Sequence, residues 1–335
     1  MRKAIDRVVN GHDLTVDEVK DVMDKIMSGE ATDAQIAGFI TGLRMKGETI
    51  SELTGAAHVM RDKAAKITTS RSGLVDVCGT GGDKIDTFNI STTTAFVIAG
   101  AGLPVAKHGN RSVSSPSGSA DVLEELGVNL DLTPAQVGES IDEIGIGFLY
   151  APTFHQAMKH AIGPRKELGI RTIFNMLGPL TNPAAADIQL LGVYDADLTE
   201  AIAYTLKNLG VEGALVVHGL VGLDELSTVA KTKVSQLKDG RVDTYYIKPE
   251  ELGLEEAKPE ELQGGSPKEN AVITKNILSG QQGKKRDIIL LNAAGAFLAA
   301  GKVDDLEAGI ELAAETIDQG LALDKLNQLI EVSNR

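Results

Sequence analysis

From Leu74 onward, short apolar runs alternate with helix-length segments, and this alternation limits the possible folds more than any other feature of the chain. Leu74–Val77, Leu103–Ala106, Ile146–Leu149, Ile188–Val193 and Gly213–Val217 read as buried strands. Ser91–Ala101, Ser119–Leu126, Pro134–Ile144, Thr153–Leu168 and Leu198–Leu209 read as helices between them. Strand, covering helix and next strand predict a mostly parallel sheet flanked by helices, with ligands held outside the carboxyl ends of the strands. An antiparallel piece is expected around Arg241–Ile247, then a looser stretch at 249–267 and three or four closing helices.

Residues 1–67 read differently, as helix throughout. Thr15, Thr32 and Thr49 each stand three residues before Glu18, Gln35 and Glu52, the capping-box spacing. Behind them Val19, Val22, Met23 and Ile26, then Ile36, Phe39, Ile40 and Leu43, keep helical spacing. With the polar stretch from Lys66 to Gly73 as a boundary, the expected architecture is α/β: a small all-helical N-terminal domain (1–70, joined by part of 165–190) and a large α/β domain (71–335).

The first strand ends in Gly79-Thr-Gly-Gly-Asp83, and Asn89, Ser91, Thr92 and Thr93 lead into the next helix. Glycines without Cβ, hydroxyls and the N-terminus of a helix converge there on a place suited to phosphate. Neither familiar phosphate loop fits, because position 84 is Lys rather than the third glycine of G-x-G-x-x-G and no G-K-[ST] follows. After the second strand comes Lys107-His-Gly-Asn-Arg-Ser-Val-Ser-Ser-Pro-Ser-Gly-Ser119, with an ammonium and a guanidinium to grip phosphate oxygens and a Ser119-Ala-Asp-Val helix start. Two such loops on neighbouring strands predict a ligand with phosphates at both ends, as in phosphoribosyl pyrophosphate. Asp224-Glu225, beyond the apolar run Ala214–Val217, is a pair for a hard cation such as Mg²⁺. Arg165 and Arg171 are both candidates for a carboxylate-bearing second substrate, and spacing does not choose between them.

These stretches resemble anthranilate phosphoribosyltransferases: the helical start, Gly79-Thr-Gly-Gly-Asp83 with Thr87-Phe-Asn-Ile-Ser-Thr92, the Lys107–Ser119 loop, Arg165 to Pro183, and Leu223-Asp-Glu-Leu-Ser227. The resemblance covers nearly the whole chain. It implies that phosphoribosyl pyrophosphate is bound by Gly79, Gly82, Asp83, Thr87, Asn89, Ile90, Ser91 and Thr92. The same ligand would be held by Lys107, His108, Gly109, Asn110, Arg111, Ser112, Val113, Ser114, Ser115 and Ser119. Anthranilate would meet Gly79, His108, Asn110, His155, Arg165 and Gly178, and Mg²⁺ would meet Ser91, Asp224 and Glu225. Lys107 and Arg165 would serve catalysis by positioning and charge stabilisation, without a general base, in the second step of tryptophan biosynthesis by a cytoplasmic homodimer.

Composition narrows the rivals. A net charge of −14 and a pI near 4.9 oppose a nucleic-acid-binding relative, which would need a basic face. A pyrimidine nucleoside phosphorylase would share the architecture, but its loop reads Ser-Thr-Gly-Gly and lacks the Lys107–Arg111 cluster. Cys78 is the single cysteine, which excludes an intrachain disulfide or a cysteine-based zinc site and fits a reducing cytosol. It ends an apolar run, so it is expected to pack rather than react. Charges at Arg2, Lys3, Asp6 and Arg7, without an apolar run, give no signal-peptide pattern, and no segment has the length of a membrane span.

Overall fold

The computed structural model describes residues 1–82, 85–112 and 116–335. Four helices open the chain: α1 (Arg2–Val9), α2 (Val16–Met27), α3 (Asp33–Lys46) and α4 (Ile50–Lys63). All three capping boxes form, with Thr15, Thr32 and Thr49 each accepting from the backbone N–H three residues on.

The alternating region follows as β1 (Val75–Gly79), α5 (Ile90–Gly100), β2 (Val105–Gly109), α6 (Ser119–Glu125), α7 (Pro134–Ile144), β3 (Ile146–Tyr150), α8 (Ala151–Phe154), α9 (Lys159–Leu168), α10 (Ile173–Leu180), β4 (Ile188–Gly192), α11 (Leu198–Asn208) and β5 (Gly213–Gly219). Then come β6 (Thr232–Lys238), β7 (Arg241–Ile247), α12 (Pro267–Leu278), α13 (Lys284–Ala299), α14 (Leu306–Asp318) and α15 (Leu321–Ser333). The sheet runs β3-β2-β1-β4-β5-β6-β7, parallel through β5 and antiparallel at β6 and β7. Its order reverses between β1 and β4, the switch point at which sheets of this kind open a crevice.

Each face of the sheet is covered. Val75, Val77, Leu190, Leu215 and Val217 pack with residues of α5 and α13. On the other face Cys78, Leu191, Ala214 and Val216 share one apolar cluster with residues of α1–α4, α10 and α11.

Three expectations are corrected. Thr153–Leu168 is not one helix: it breaks at His155 (φ −110, ψ 52) into α8, a 3₁₀ turn at Gln156–Met158, and α9. The Phe154 carbonyl accepts instead from the Ala65 N–H at 2.9 Å, which straps the inter-domain stretch onto this corner. Ser119 does not cap its helix: the cap is Gly118, whose N–H donates to Asp121 Oδ2 at 2.9 Å, and Ser119 Oγ donates to the Asn110 carbonyl. β6 and α10 join the elements read from the sequence.

Candidate active site

A cleft of about 430 Å³ lies at the carboxyl ends of β1, β2, β4 and β5. It collects Gly79, Gly82, Thr87, Asn89, Ile90, Ser91 and Thr92 from the glycine loop and the start of α5. Lys107, His108, Gly109, Asn110, Arg111, Ser112 and Ser119 come from the second loop, Arg165 and Gly178 from α9 and α10, and Asp224 and Glu225 from beyond β5. Asp83, Val113, Ser114 and Ser115 fall outside the described residues.

The start of α5 is built to hold something other than itself. Asn89 occupies the N-cap position but makes no side-chain cap bond. Its amide donates to the Ser117 carbonyl at 3.2 Å and its Oδ1 accepts from Asn270 at 2.9 Å, so it ties the two loops together. The Ile90 N–H donates to the Phe88 carbonyl at 2.8 Å, and the Ser91 and Thr92 N–H groups keep the helix's positive end for an anion. Thr92 Oγ1, buried in the same wall, has no partner among the described residues.

Lys107 is buried at the end of β2, where its ammonium donates to the Val77 carbonyl at 2.7 Å and to Ser91 Oγ at 3.4 Å. Burial lowers its pKa, and Asp76 and Glu225 oppose that fall. Asp76 lies beneath the site, wholly buried, accepting the His108 N–H at 3.0 Å; burial raises its pKa while Lys107 pulls it back. Cys78 is buried and its thiol is pushed well above the ordinary range, which removes it as a nucleophile at neutral pH.

The carboxylate pair reaches the cleft through an unusually close crossing. A Cβ on Gly192, at the end of β4, would overlap the Asp224 carbonyl and lie 3.0 Å from the Asp224 Cα. A Cβ on Gly79, paired with Gly192 across the sheet, would stand 2.9 Å from the Asp224 Cγ. Seated there, Asp224 Oδ2 accepts from the Gly81 N–H at 2.8 Å. Burial raises the Asp224 pKa, so a nearby cation would restore the ionised form. Two adjacent buried carboxylates and the Ser91 hydroxyl are hard oxygen donors that leave coordination positions for phosphate, the chemistry Mg²⁺ prefers. Among the described residues no cluster of three or more His, Cys, Asp or Glu competes with them as a metal site.

The structure separates the two arginines. Arg165 stands over the Phe174 ring at 5.1 Å, and among the described residues it has no ion pair; burial lowers its pKa. Arg171 donates from Nη2 to the Gly82 carbonyl and stacks 4.2 Å over the Tyr194 ring. Arg111 turns instead to Asp121 (2.9 Å), Glu124 (2.9 Å) and the Tyr150 hydroxyl (3.2 Å).

His155 does not line the cleft. Its ring lies behind His108, with centroids 5.1 Å apart, and Nε2 of each is buried without a partner among the described residues. Burial drives His108 down to about 4 and His155 to about 3. Each folded value is below the ordinary 6.5, so between those limits the unfolded chain binds protons that the folded chain refuses. Stability should therefore fall as pH drops below 6.5, by about 1.4 kcal/mol per pH unit for each such histidine. Urea titrations from neutral pH to pH 5 should show this decline, with a shallower slope in His155→Gln. An unchanged slope in the variant would mean that His155 is not held neutral.

Tyr194, Phe174 and Asn175 also line the cleft and were not singled out from the sequence. Tyr194 follows the end of β4, so the rule that ligands gather at carboxyl ends of strands was the available signal.

A model described as "Glycosyl transferase family, helical bundle domain" matches residues 2–64, and one described as "Glycosyl transferase family, a/b domain" matches residues 71–323. The anthranilate phosphoribosyltransferase of Acetivibrio thermocellus is 56% identical over 334 residues, covering 100% of this chain and 97% of that protein. That of Symbiobacterium thermophilum is 56% identical over 335 residues, covering 100% and 98%. The crystal structure of the Thermus thermophilus enzyme superposes with a TM-score of 0.94 at 42% identity, covering 99% of both chains. The Saccharomyces cerevisiae enzyme, solved in complex with phosphoribosyl pyrophosphate and Mg, matches with a TM-score of 0.91 at 30% identity, covering 99% of this chain and 97% of that one.

Proposed function

This chain belongs to the anthranilate phosphoribosyltransferase family, and we infer from that premise how its cleft works. The reaction moves the phosphoribosyl group from phosphoribosyl pyrophosphate to the amine of anthranilate, giving N-(5-phosphoribosyl)anthranilate and pyrophosphate. It is a pentosyl transfer in tryptophan biosynthesis.

In our reading the glycine loop and the start of α5 take one phosphate end of the substrate, while Lys107 and the second loop take the other. Mg²⁺, held by Asp224, Glu225 and Ser91, would supply charge compensation to the pyrophosphate oxygens. Lys107, already desolvated, offsets the negative charge that grows as the C1–O bond breaks. The aromatic amine attacks C1 unprotonated, because an aniline nitrogen is neutral at pH 7. As the N–C1 bond forms and the C1–O bond breaks, the strongly acidic anilinium releases its proton to water or the departing pyrophosphate, so the neutral His108 and His155 need not accept it. Arg111 would reach a phosphate by exchanging its half-buried Asp121 and exposed Glu124 partners, pairs that solvent screens.

The observation that carries the reading is Arg165, a half-buried guanidinium without an ion pair among the described residues, facing the cleft that the phosphate loops also line. It would orient the anthranilate carboxylate. Arg165→Ala should raise the KM for anthranilate roughly a hundredfold and that for phosphoribosyl pyrophosphate far less, as expected when a charge-assisted bidentate contact is lost. Equal changes would remove the assignment. The activity itself is read from anthranilate fluorescence, against a low background because the chain has no tryptophan. Decay should require protein, phosphoribosyl pyrophosphate and Mg²⁺, and stop with EDTA.

We also propose a helical unit of residues 1–70 with part of 165–190 beside a catalytic unit of 71–335. A second copy would cover Val9, Met45 and Ile162, exposed on α1, α3 and α9. Among the described residues no helix is long and apolar enough to cross a membrane, and the cytoplasm is the proposed compartment.

A further inference from the structure

Arg171 reads in the sequence as a second carboxylate ligand, but its contacts give it different work. Three segments meet at its side chain. It lies in the short connection between α9, which closes in left-handed Gly169, and α10. Its Nη2 donates to the carbonyl of Gly82 in the glycine loop, and its guanidinium carbon lies 4.2 Å over the centre of the Tyr194 ring just past β4. Among the described residues no carboxylate lies within ion-pairing distance of it. Its charge instead acts on Asp224 from a distance, favouring the ionised carboxylate.

The glycine loop needs such a support. Gly81 and Gly82 both have φ near +70, at 69 and 75, a conformation with no side chain of its own to anchor it. The loop is held from one side by the Gly81 N–H on Asp224 and by the Thr80 hydroxyl, which accepts the Tyr194 N–H at 3.0 Å. Arg171 fastens the other side. A Cβ at Gly82 would stand 2.7 Å from the Arg171 Cζ, so the missing side chain is also what lets the guanidinium approach.

We propose that Arg171 is a positioning residue for phosphoribosyl pyrophosphate rather than a ligand of anthranilate: stacked on Tyr194, it fixes the Gly82 carbonyl and thereby the shape of the phosphate-binding loop. The stacked plane sets the direction of the N–H bond, which a lysine could not do with its single rotating ammonium. The assignment rests on the transferase reading above.

The test pairs calorimetric titration of phosphoribosyl pyrophosphate with Mg²⁺, in the absence of anthranilate, with steady-state kinetics. Arg171→Ala should weaken phosphoribosyl pyrophosphate binding roughly tenfold and raise its KM alike, as for the loss of one charge-assisted hydrogen bond, with the anthranilate KM within about twofold. Arg171→Lys should recover part of the loss. Tyr194→Leu, which leaves Arg171 in place but removes its face, should move the same constant in the same direction and serves if Arg171→Ala does not fold. A raised anthranilate KM with unchanged phosphoribosyl pyrophosphate affinity would overturn the proposal, as would no change in either. Wild-type protein that binds phosphoribosyl pyrophosphate but consumes no anthranilate would instead defeat the transferase reading, leaving the binding measurement to judge Arg171.

Discussion

Lys107→Met should lower kcat by roughly 10²–10³, the loss seen when a preorganised charge-stabilising group is removed from a desolvated site. Methionine nearly matches the lysine stem in volume, so the packing of β2 against its neighbours is kept. The electrostatics are not kept. Asp76, wholly buried below, has Lys107 as its largest favourable charge, and without it the carboxylate is left with its hydrogen bonds and the weaker charge of Arg61. The variant should therefore also lose stability, and activity by itself would not separate the two effects. Lys107→Met combined with Asp76→Asn removes the stranded charge while an amide oxygen can still accept the His108 N–H. Expected is recovery of the unfolding midpoint with no recovery of kcat. Recovery of both would reduce Lys107 to a structural counter-ion.

Gly192→Ala should be nearly as damaging, although Gly192 is not among the cleft-lining residues. Its new methyl would overlap the main chain of Asp224, and no side-chain rotation relieves a clash with backbone. Either the segment after β5 or the end of β4 must move. The first moves both carboxylates, and the second opens the β1–β4 edge at the switch point. The Mg²⁺ concentration giving half-maximal rate should rise at least about tenfold, with kcat falling alongside, because metal ligands tolerate little displacement. Gly38→Ala, inside α3 with only a contact at 3.9 Å, is the control and should be neutral or slightly stabilising. A Gly192→Ala protein with wild-type Mg²⁺ dependence would mean the carboxylates are held by something other than this crossing.

The local parts of the architecture were legible in the chain. Each capping box is a contact between residues three apart, and each parallel strand is buried on both faces and so reads as a mostly apolar run, interrupted by few polar residues such as Asp76 and Gln189. The loops were legible for the same reason, since the glycines, hydroxyls and cations proposed to hold one ligand lie within a few residues of each other. What failed was set from a distance. His155 leaves the helix because Ala65, ninety residues earlier in the chain, takes the Phe154 carbonyl, and Pro179 inside α10 looks like a breaker until the helix is seen to end at Leu180. β6 alternates too weakly between Val234 and Leu237 to declare itself. In the site, Arg165 and Arg171 are equivalent by spacing and differ only in what Phe174, Tyr194 and Gly82 bring to them.

The apolar cluster joining α1–α4 to Cys78, Leu191 and Val216 has an evolutionary consequence. Two family models meet in the stretch between residues 64 and 71, as if two modules had been tied together there. In cohesion there is no seam at that place: α1–α4 share one continuous apolar cluster with α10, α11 and a face of the sheet. Recombination at this linker would hand each half a surface shaped for a lost partner.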